Sequence, residues 1–241
     1  MIRSFDRVKR ARFNYKVNFL NLYMQTLKRC GLSLFLIYVV FTFFDQSLTV
    51  LMESNLRSPD GATGGVFLLG ALYLTNSIFF TTLATMTCLF GVTKLTETWW
   101  QFMDRYFNQS CIEVVRAWGK VLSWSLLLMI PGFIKYLQYL LVPFIVVVDE
   151  KYQTGEKDAL QTSQEIFKKH WLSLLFAVIS FQVVWSYISV DLFDAYRMIL
   201  VTPVLALFIS ALESMIFLLY ILVIFRSIQD STKELALGSA V

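Results

Sequence analysis

The chain has 241 residues and a formal net charge of +4, and 57% of its residues are hydrophobic while only 16% are charged. Soluble domains carry about 25% charged residues, and a soluble core of this size could not bury so many apolar side chains. The composition therefore excludes an ordinary soluble globular protein and indicates a protein whose solvent is lipid.

The first 30 residues are basic and show the spacing of an amphipathic helix. Apolar side chains recur every three or four residues at Phe13, Val17, Leu20, Met24 and Leu27, beside a parallel row of polar residues. Four bases, Arg7, Lys9, Arg10 and Arg12, are predicted to contact lipid headgroups, where each base gains about 1 kcal/mol from an anionic surface. In the alternative interpretation, these four bases only determine the orientation of the chain in the membrane. No small-residue cleavage site follows, so a cleaved signal peptide is not predicted.

Six apolar segments come next, and each is predicted to be a membrane-spanning helix because its composition suits the bilayer core. The segments are 31–52, 65–92, 117–130, 133–148, 171–190 and 199–225. Barrel strands alternate apolar and polar residues over about 10 residues, whereas these runs are uniformly apolar. We predict one all-α integral membrane domain over 1–241, with an amphipathic N-terminal segment (1–30), a six-helix bundle (31–225) and a cytoplasmic tail (226–241).

An amphipathic segment precedes each pair of predicted spans, so the bundle reads as three hairpins with a cytoplasmic helix before each one. The first and third entries are similar: "LKRCGLSLF" at 27–35 and "FKKHWLSLL" at 167–175 share their basic, serine and leucine positions. In the third entry Lys168, Lys169 and Trp171 are predicted to contact lipid headgroups, because bases and aromatic rings collect at the membrane interface. Thr154 is the predicted N-cap of that helix.

Lysine and arginine positions predict the orientation. Eighteen of the 21 bases fall in 1–30, 93–120, 149–170 and 226–241, which six spans would place on one side. Because bases are enriched on the cytoplasmic side, both termini are predicted to be cytoplasmic.

The segment 117–148 is short for two full crossings. Pro131 and Gly132 are predicted to form the turn of a tight hairpin, with a kink at Pro143 in the returning span. A re-entrant pair, which the bilayer tolerates only when it is buried in protein, is the competing interpretation.

Several polar residues lie within the predicted spans. Glu213 is near the centre of the last apolar run, where an acid costs about 2.5–3.5 kcal/mol on insertion scales. The other polar candidates are Ser210, Asp45, Gln46 and Asn76, and the second span is rich in hydroxyls. These residues either form a polar pathway between spans one, two and six or join helices by hydrogen bonds.

The stretch 130–179 resembles a broad bacterial family, the membrane domain found beside glycerophosphodiester phosphodiesterases and related integral membrane proteins. The resemblance is carried by the Pro131–Gly132 hairpin, the apolar run that ends at Asp149–Glu150, and the segment with serine and bases from Ser163 to Trp171. It implies a six-helix domain of a bacterial inner membrane. It carries over no catalysis, because the phosphodiesterase itself is a separate soluble barrel.

No HExxH, GxSxG or phosphate-binding motif appears, and Cys30, Cys88 and Cys111 lack metal-type spacing. We therefore predict a non-enzyme with no cofactor, no metal and no nucleic-acid partner. The predicted function is to contact anionic lipids or partner proteins through the basic amphipathic helices. The alternative is a small transporter or channel, built as a homo-oligomer, that uses Glu213 and the polar second span. Ion flux through the purified protein would separate the two.

Overall fold

The structure, a computed structural model, describes residues 19–57, 64–93, 97–193 and 202–238. Within these ranges it is helical throughout and contains no strand. Five stretches are long and apolar enough to cross a membrane: Phe19–Leu56, Gly64–Val92, Met129–Val148, Ala159–Ser189 and Pro203–Ile228. The prediction of an all-α, multi-pass membrane protein is confirmed.

Helices α1 (Phe19–Leu56) and α2 (Gly64–Val92) form a long antiparallel pair. Gly91 makes the pair close, because a Cβ atom there would lie 2.7 Å from both Cys30 Sγ and Thr26 Cγ2. Helix α1 crosses residue 30 without interruption, so the division at 30/31 does not coincide with a helix end.

Helix α3 (Trp99–Leu127) is the largest departure from the predicted order. It starts at a capping box, in which Thr98 Oγ1 accepts from Gln101 N and Thr98 N donates to Gln101 Oε1. It joins the second amphipathic segment and the predicted span 117–130 into one helix. Helix α3 is not one of the five stretches that could cross a membrane, because it carries charged residues such as Glu113 and Arg116 over most of its length.

The hairpin turn was predicted at Pro131–Gly132, and that position is wrong by about one helical turn. The chain reverses at Leu128, whose backbone is extended (φ −157°, ψ 136°), and helix α4 (Met129–Tyr139) begins immediately afterwards. Pro131 lies in the first turn of α4, where its missing N–H leaves no hydrogen bond unmade. Gly132 lets the two helices approach, since a Cβ atom there would lie 2.8 Å from Ser125 Cα.

The predicted break at Pro143 is confirmed. Helix α4 ends at Tyr139, and α5 (Val142–Val148) starts with Pro143 in its first turn. Almost every side chain of α5 is buried, because it packs against α3, α2 and the helix that begins at residue 159.

A short helix, α6 (Glu150–Gln153), leads to a turn at Gly155, whose φ of +79° suits glycine. The next helix, α7 (Ala159–Val178), has Asp158 as its N-cap residue rather than the predicted Thr154. Thr154 instead donates its hydroxyl to the carbonyl of Lys151 at 3.1 Å, which closes the preceding turn.

Helix α7 is kinked at His170 (φ −121°, ψ 23°). It continues through a π-helical segment, Ile179–Val184, into α8 (Trp185–Phe193). The last helix, α9 (Pro203–Gly238), passes between α1 and α7 and runs well beyond residue 225. One buried apolar core joins α1–α7 and α9.

Candidate functional site

Glu213 lies on α9 and faces other helices. Its Oε1 accepts a hydrogen bond of 2.9 Å from Ser189 Oγ on α8, and Ser189 is 1% exposed. Ser210, one turn earlier on α9, is buried, whereas Ser214 donates to the carbonyl of Ala211 in its own helix. One hydrogen-bond partner of Glu213 is therefore on α8, which was outside the predicted pathway between spans one, two and six.

Glu213 and Ser189 line a cavity of about 320 Å³, which we call the acidic cavity. Ser186 and Gln182 add two further polar groups to its wall. The remaining wall is mostly aromatic: Tyr38, Phe41, Phe80, Phe181, Trp185, Phe217 and Tyr220. Four helices and the π-helical segment thus meet around one carboxylate.

A second cavity of about 340 Å³ adjoins it, and we call this the threonine cavity. Its hydroxyl side comes from α2: Ser77, Thr81, Thr82 and Thr85. Its opposite side comes from α3, α4 and α5. The two cavities share Gln182, Phe217 and Tyr220, so these three side chains form the boundary between them.

Gln182 links three helices at that boundary. Tyr136 on α4 donates its hydroxyl to Gln182 Oε1 at 2.7 Å, and Gln182 Nε2 donates to the hydroxyl of Tyr220 on α9 at 2.9 Å. Gln182 lies in the π-helical segment, a distortion that often marks functional sites. The sequence analysis missed it, although a single glutamine in the apolar run "VISFQVVW" was a usable signal.

Three hydroxyls of the second span bond within their own helix. Thr75, Thr81 and Thr82 each donate to a carbonyl four residues earlier in α2, at 2.8 Å. Such bonds satisfy the hydroxyl within its own helix. For these three residues the structure shows no hydrogen bond between helices within its described part. Thr87 is an exception, because it accepts from Trp99 Nε1 of α3 at 3.3 Å.

The other polar candidates lie away from Glu213. Asp45 is paired with the Tyr73 hydroxyl between α1 and α2, and Gln46 is half-buried beside it. The amide nitrogen of Asn76 is buried and has no hydrogen-bond partner among the described residues. Of these residues, only Glu213 lines either of the two cavities.

The basic residues predicted to contact headgroups divide into two groups. Arg7, Lys9, Arg10 and Arg12 lie outside the described residues. Lys168 and Lys169 are exposed immediately before the kink in α7, and Trp171, immediately after it, is 48% exposed.

An ion pair joins α3 to the start of α7. Arg116 contacts both carboxylate oxygens of Asp158, at 2.8 and 3.2 Å, and these bonds raise the pKa of the guanidinium. Beside it, the Tyr152 hydroxyl donates to Glu113 Oε1 at 3.2 Å. Burial raises the pKa of Tyr152, and the Glu113 carboxylate raises it further. These charged and polar groups mark the end of the hairpin opposite to Leu128.

The hairpin tip itself is apolar and unusually exposed. The five residues around the turn, Leu126, Leu127, Leu128, Met129 and Ile130, are 67–88% exposed. A tip of this composition suits hydrocarbon better than water.

No family model, curated protein or solved structure matches this chain. The site is therefore interpreted from its own geometry.

Proposed function

We propose that the protein is a non-catalytic, multi-pass protein of a bacterial inner membrane that binds anionic lipid headgroups through its cytoplasmic basic residues. The observation that carries this proposal is the kink at His170. It separates a helix that ends in the exposed bases Lys168 and Lys169 from a span that begins with exposed Trp171. Bases and an amphipathic ring at one level are the combination that an anionic interface favours.

The lipid proposal is tested by replacing Lys168 and Lys169 together with Gln. In reconstituted protein, the association of spin-labelled phosphatidylglycerol should fall, while that of phosphatidylcholine should not. The same replacement of Arg7, Lys9, Arg10 and Arg12 should lower it further, with Arg57→Gln as the control because Arg57 lies at the opposite end of α1. Unchanged phosphatidylglycerol association in both variants would show that these bases determine only the orientation of the protein in the membrane.

We further propose that α3 and α4 form a re-entrant hairpin. From the Arg116–Asp158 pair to Leu128 the helix rises about 18 Å, which is short of the ~30 Å hydrocarbon core. At the tip the N–H and C=O groups of Leu128 are both satisfied, since Leu128 N donates to Trp124 O at 3.0 Å and Gly132 N donates to Leu128 O at 3.3 Å. Four full crossings, by α1, α2, α7–α8 and α9, then leave both termini in the cytoplasm.

Cysteine labelling tests this topology. In a chain without its natural cysteines, Leu128→Cys should react with a water-soluble maleimide from neither side, and Ser54→Cys near the outer end of α1 should react from outside. Labelling of Leu128→Cys from outside would instead support a full crossing and the six-span arrangement.

One observation favours the alternative function, a small oligomeric transporter or channel: Glu213 lines the acidic cavity rather than a packed interface. Glu213→Gln keeps the hydrogen bond to Ser189 available and removes the charge. If Glu213 carries ions or protons, this variant should fold normally and lose flux in liposomes. If the carboxylate only joins α8 to α9, Gln should be tolerated, and Glu213→Leu should cost about 0.6–2 kcal/mol of stability.

A further inference from the structure

The acidic cavity combines one carboxylate with an aromatic wall inside the membrane. Among the described residues that line it, Glu213 is the only charged side chain. Ser189 supplies one hydrogen bond, at 2.9 Å.

The aromatic rings form a continuous wall rather than isolated contacts. Tyr38 meets the Phe80 ring edge-on at 4.9 Å and the Phe217 ring at 5.9 Å. Phe217 in turn lies 6.0 Å from Tyr220, and Tyr220 lies 5.5 Å from Phe181. Because each ring face carries partial negative charge, a wall of this kind attracts cations without providing oxygen ligands.

The wall distinguishes between types of cation. A hard inorganic ion such as Ca²⁺ or Mg²⁺ takes six or more oxygen ligands, whereas this cavity has one carboxylate, and the oxygens of Ser189, Gln182 and Tyr220 already form hydrogen bonds within the protein. An organic ammonium group needs no such coordination sphere, and it gains from ring faces and from a nearby carboxylate together. Its apolar substituents suit the rest of the wall.

We propose that the acidic cavity binds an apolar organic cation, a quaternary ammonium or a protonated amine, with its nitrogen between Glu213 and the aromatic wall. The boundary residues Gln182, Phe217 and Tyr220 let a longer apolar substituent reach the threonine cavity. Ser186, which is exposed, lies at the rim of the cavity and gives the ligand a point of entry from the lipid. The site is separate from the basic residues that are proposed to bind headgroups.

The test uses the full chain in lipid nanodiscs and two probes of the same shape. Benzyltrimethylammonium carries the charge, and in neopentylbenzene a carbon atom replaces the nitrogen. Calorimetric titration should show the cation binding at least about tenfold more tightly than the neutral probe, which corresponds to about 1.4 kcal/mol. Equal binding of the two probes, or no binding of the cation, would overturn the proposal.

Variants locate the binding to this cavity. Glu213→Gln should weaken cation binding about tenfold and leave binding of the neutral probe unchanged. Glu165→Gln, which removes an exposed acid paired with Lys157, is the matched control and should have no effect. Unchanged cation affinity in Glu213→Gln would rule the site out.

A second variant keeps the test decisive if Glu213→Gln does not fold. Trp185→Leu removes one ring of the wall and retains the carboxylate, so it should weaken cation binding several-fold. Phe176→Leu, 73% exposed on the same span, should not. Equal affinity in these two variants would also refute the site. Replacing Lys168 and Lys169 should leave cation binding intact, so this proposal and the lipid proposal can fail separately.

Discussion

The segments 27–35 and 167–175 carry nearly the same sequence pattern but adopt different structures. Helix α1 runs straight through Cys30, which is 1% exposed. Helix α7 is kinked at His170, the equivalent position, and the Nε2 atom of that histidine is buried without a hydrogen-bond partner in the part of the chain that the structure describes. The shared pattern of bases, serine and leucine therefore suits both segments to a membrane interface, but it does not determine whether the helix stays straight.

The neighbouring helix accounts for the difference. Beside Cys30, α2 approaches closely through Gly91, and Arg29 reaches the end of α2 to donate to the carbonyl of Thr93 at 2.8 Å. The Arg29 guanidinium also lies 4.5 Å from the centre of the Phe90 ring. The corresponding base before the kink, Lys169, is exposed and forms no ion pair among the described residues. Close packing through Gly91 and the bond from Arg29 hold α1 against α2, whereas Lys169 makes no comparable bond to a neighbouring helix among the described residues.

The largest effect is expected from Gly91→Val. The new side chain would collide with Cys30 and Thr26, and overpacking of this kind costs about 1–3 kcal/mol. Unfolding in detergent measures the loss of stability. Gly70→Val on the same helix is the control, because nothing lies within 4 Å of a Cβ atom there. Equal losses would show that the α1–α2 contact is not what distinguishes the first segment.

Ser163→Ala should have the next largest effect, in the segment before the kink. Ser163 is fully buried and donates its hydroxyl to the carbonyl of Gln138 on α4 at 2.6 Å. Losing this bond should cost about 0.5–1.5 kcal/mol. Ser47→Ala, whose hydroxyl donates to Phe43 within α1, should cost less in the same unfolding assay. The reverse order would mean that α7 is not anchored through α4.

A smaller effect is expected from the Arg116–Asp158 pair, which fixes the start of α7 to α3. Arg116 is 47% exposed, so a double-mutant cycle with Arg116→Gln and Asp158→Asn should give a coupling of about 0.5–1 kcal/mol. Added salt should reduce the coupling, because exposed charges are screened. A coupling that salt does not change would indicate a pair more deeply buried than the structure has it.

The smallest effect is expected from His170→Leu. It removes a buried nitrogen that has no partner within the described ranges and introduces a better helix former, so stability should change by less than about 0.5 kcal/mol or increase. The same leucine at Cys30 should destabilise, because Gly91 leaves no room beside it. Similar outcomes at the two positions, measured by thermal unfolding, would remove the contrast between the segments.

Local sequence predicted some spans well and others poorly. The run 65–92 corresponds to Gly64–Val92, because its length and apolar character are sufficient to define a helix. The run 117–130 is not among the stretches long and apolar enough to cross a membrane, because it continues a helix that carries Glu113 and Arg116. These two residues pair with Tyr152 and Asp158, far along the chain, and local composition contains no information about that pairing.

The residues of the candidate site also divide into those that local sequence identifies and those that only the packing of helices reveals. Glu213 was identified from its depth in an apolar run, which is a local property. Its hydrogen bond to Ser189, and the bridge that Gln182 forms between Tyr136 and Tyr220, arise from how α4, α8 and α9 pack. Hydropathy treats those residues as minor interruptions of apolar helices, so their roles emerge only from three-dimensional contacts.

The apolar tip at Leu128 also bears on the shape of the bilayer. If α3 and α4 form the proposed re-entrant hairpin, its tip lies about 18 Å from the Arg116–Asp158 pair, and it displaces acyl chains mainly from one leaflet. The opposite leaflet keeps its lateral area, so the two leaflets are unequally filled around each molecule. The bilayer relieves such an imbalance by bending or by local thinning, and each ångström of thickness mismatch costs a modest amount of free energy. The exposed side chains of Leu126 and Ile130 would then act as a wedge, and the protein would gather where the inner leaflet is already expanded.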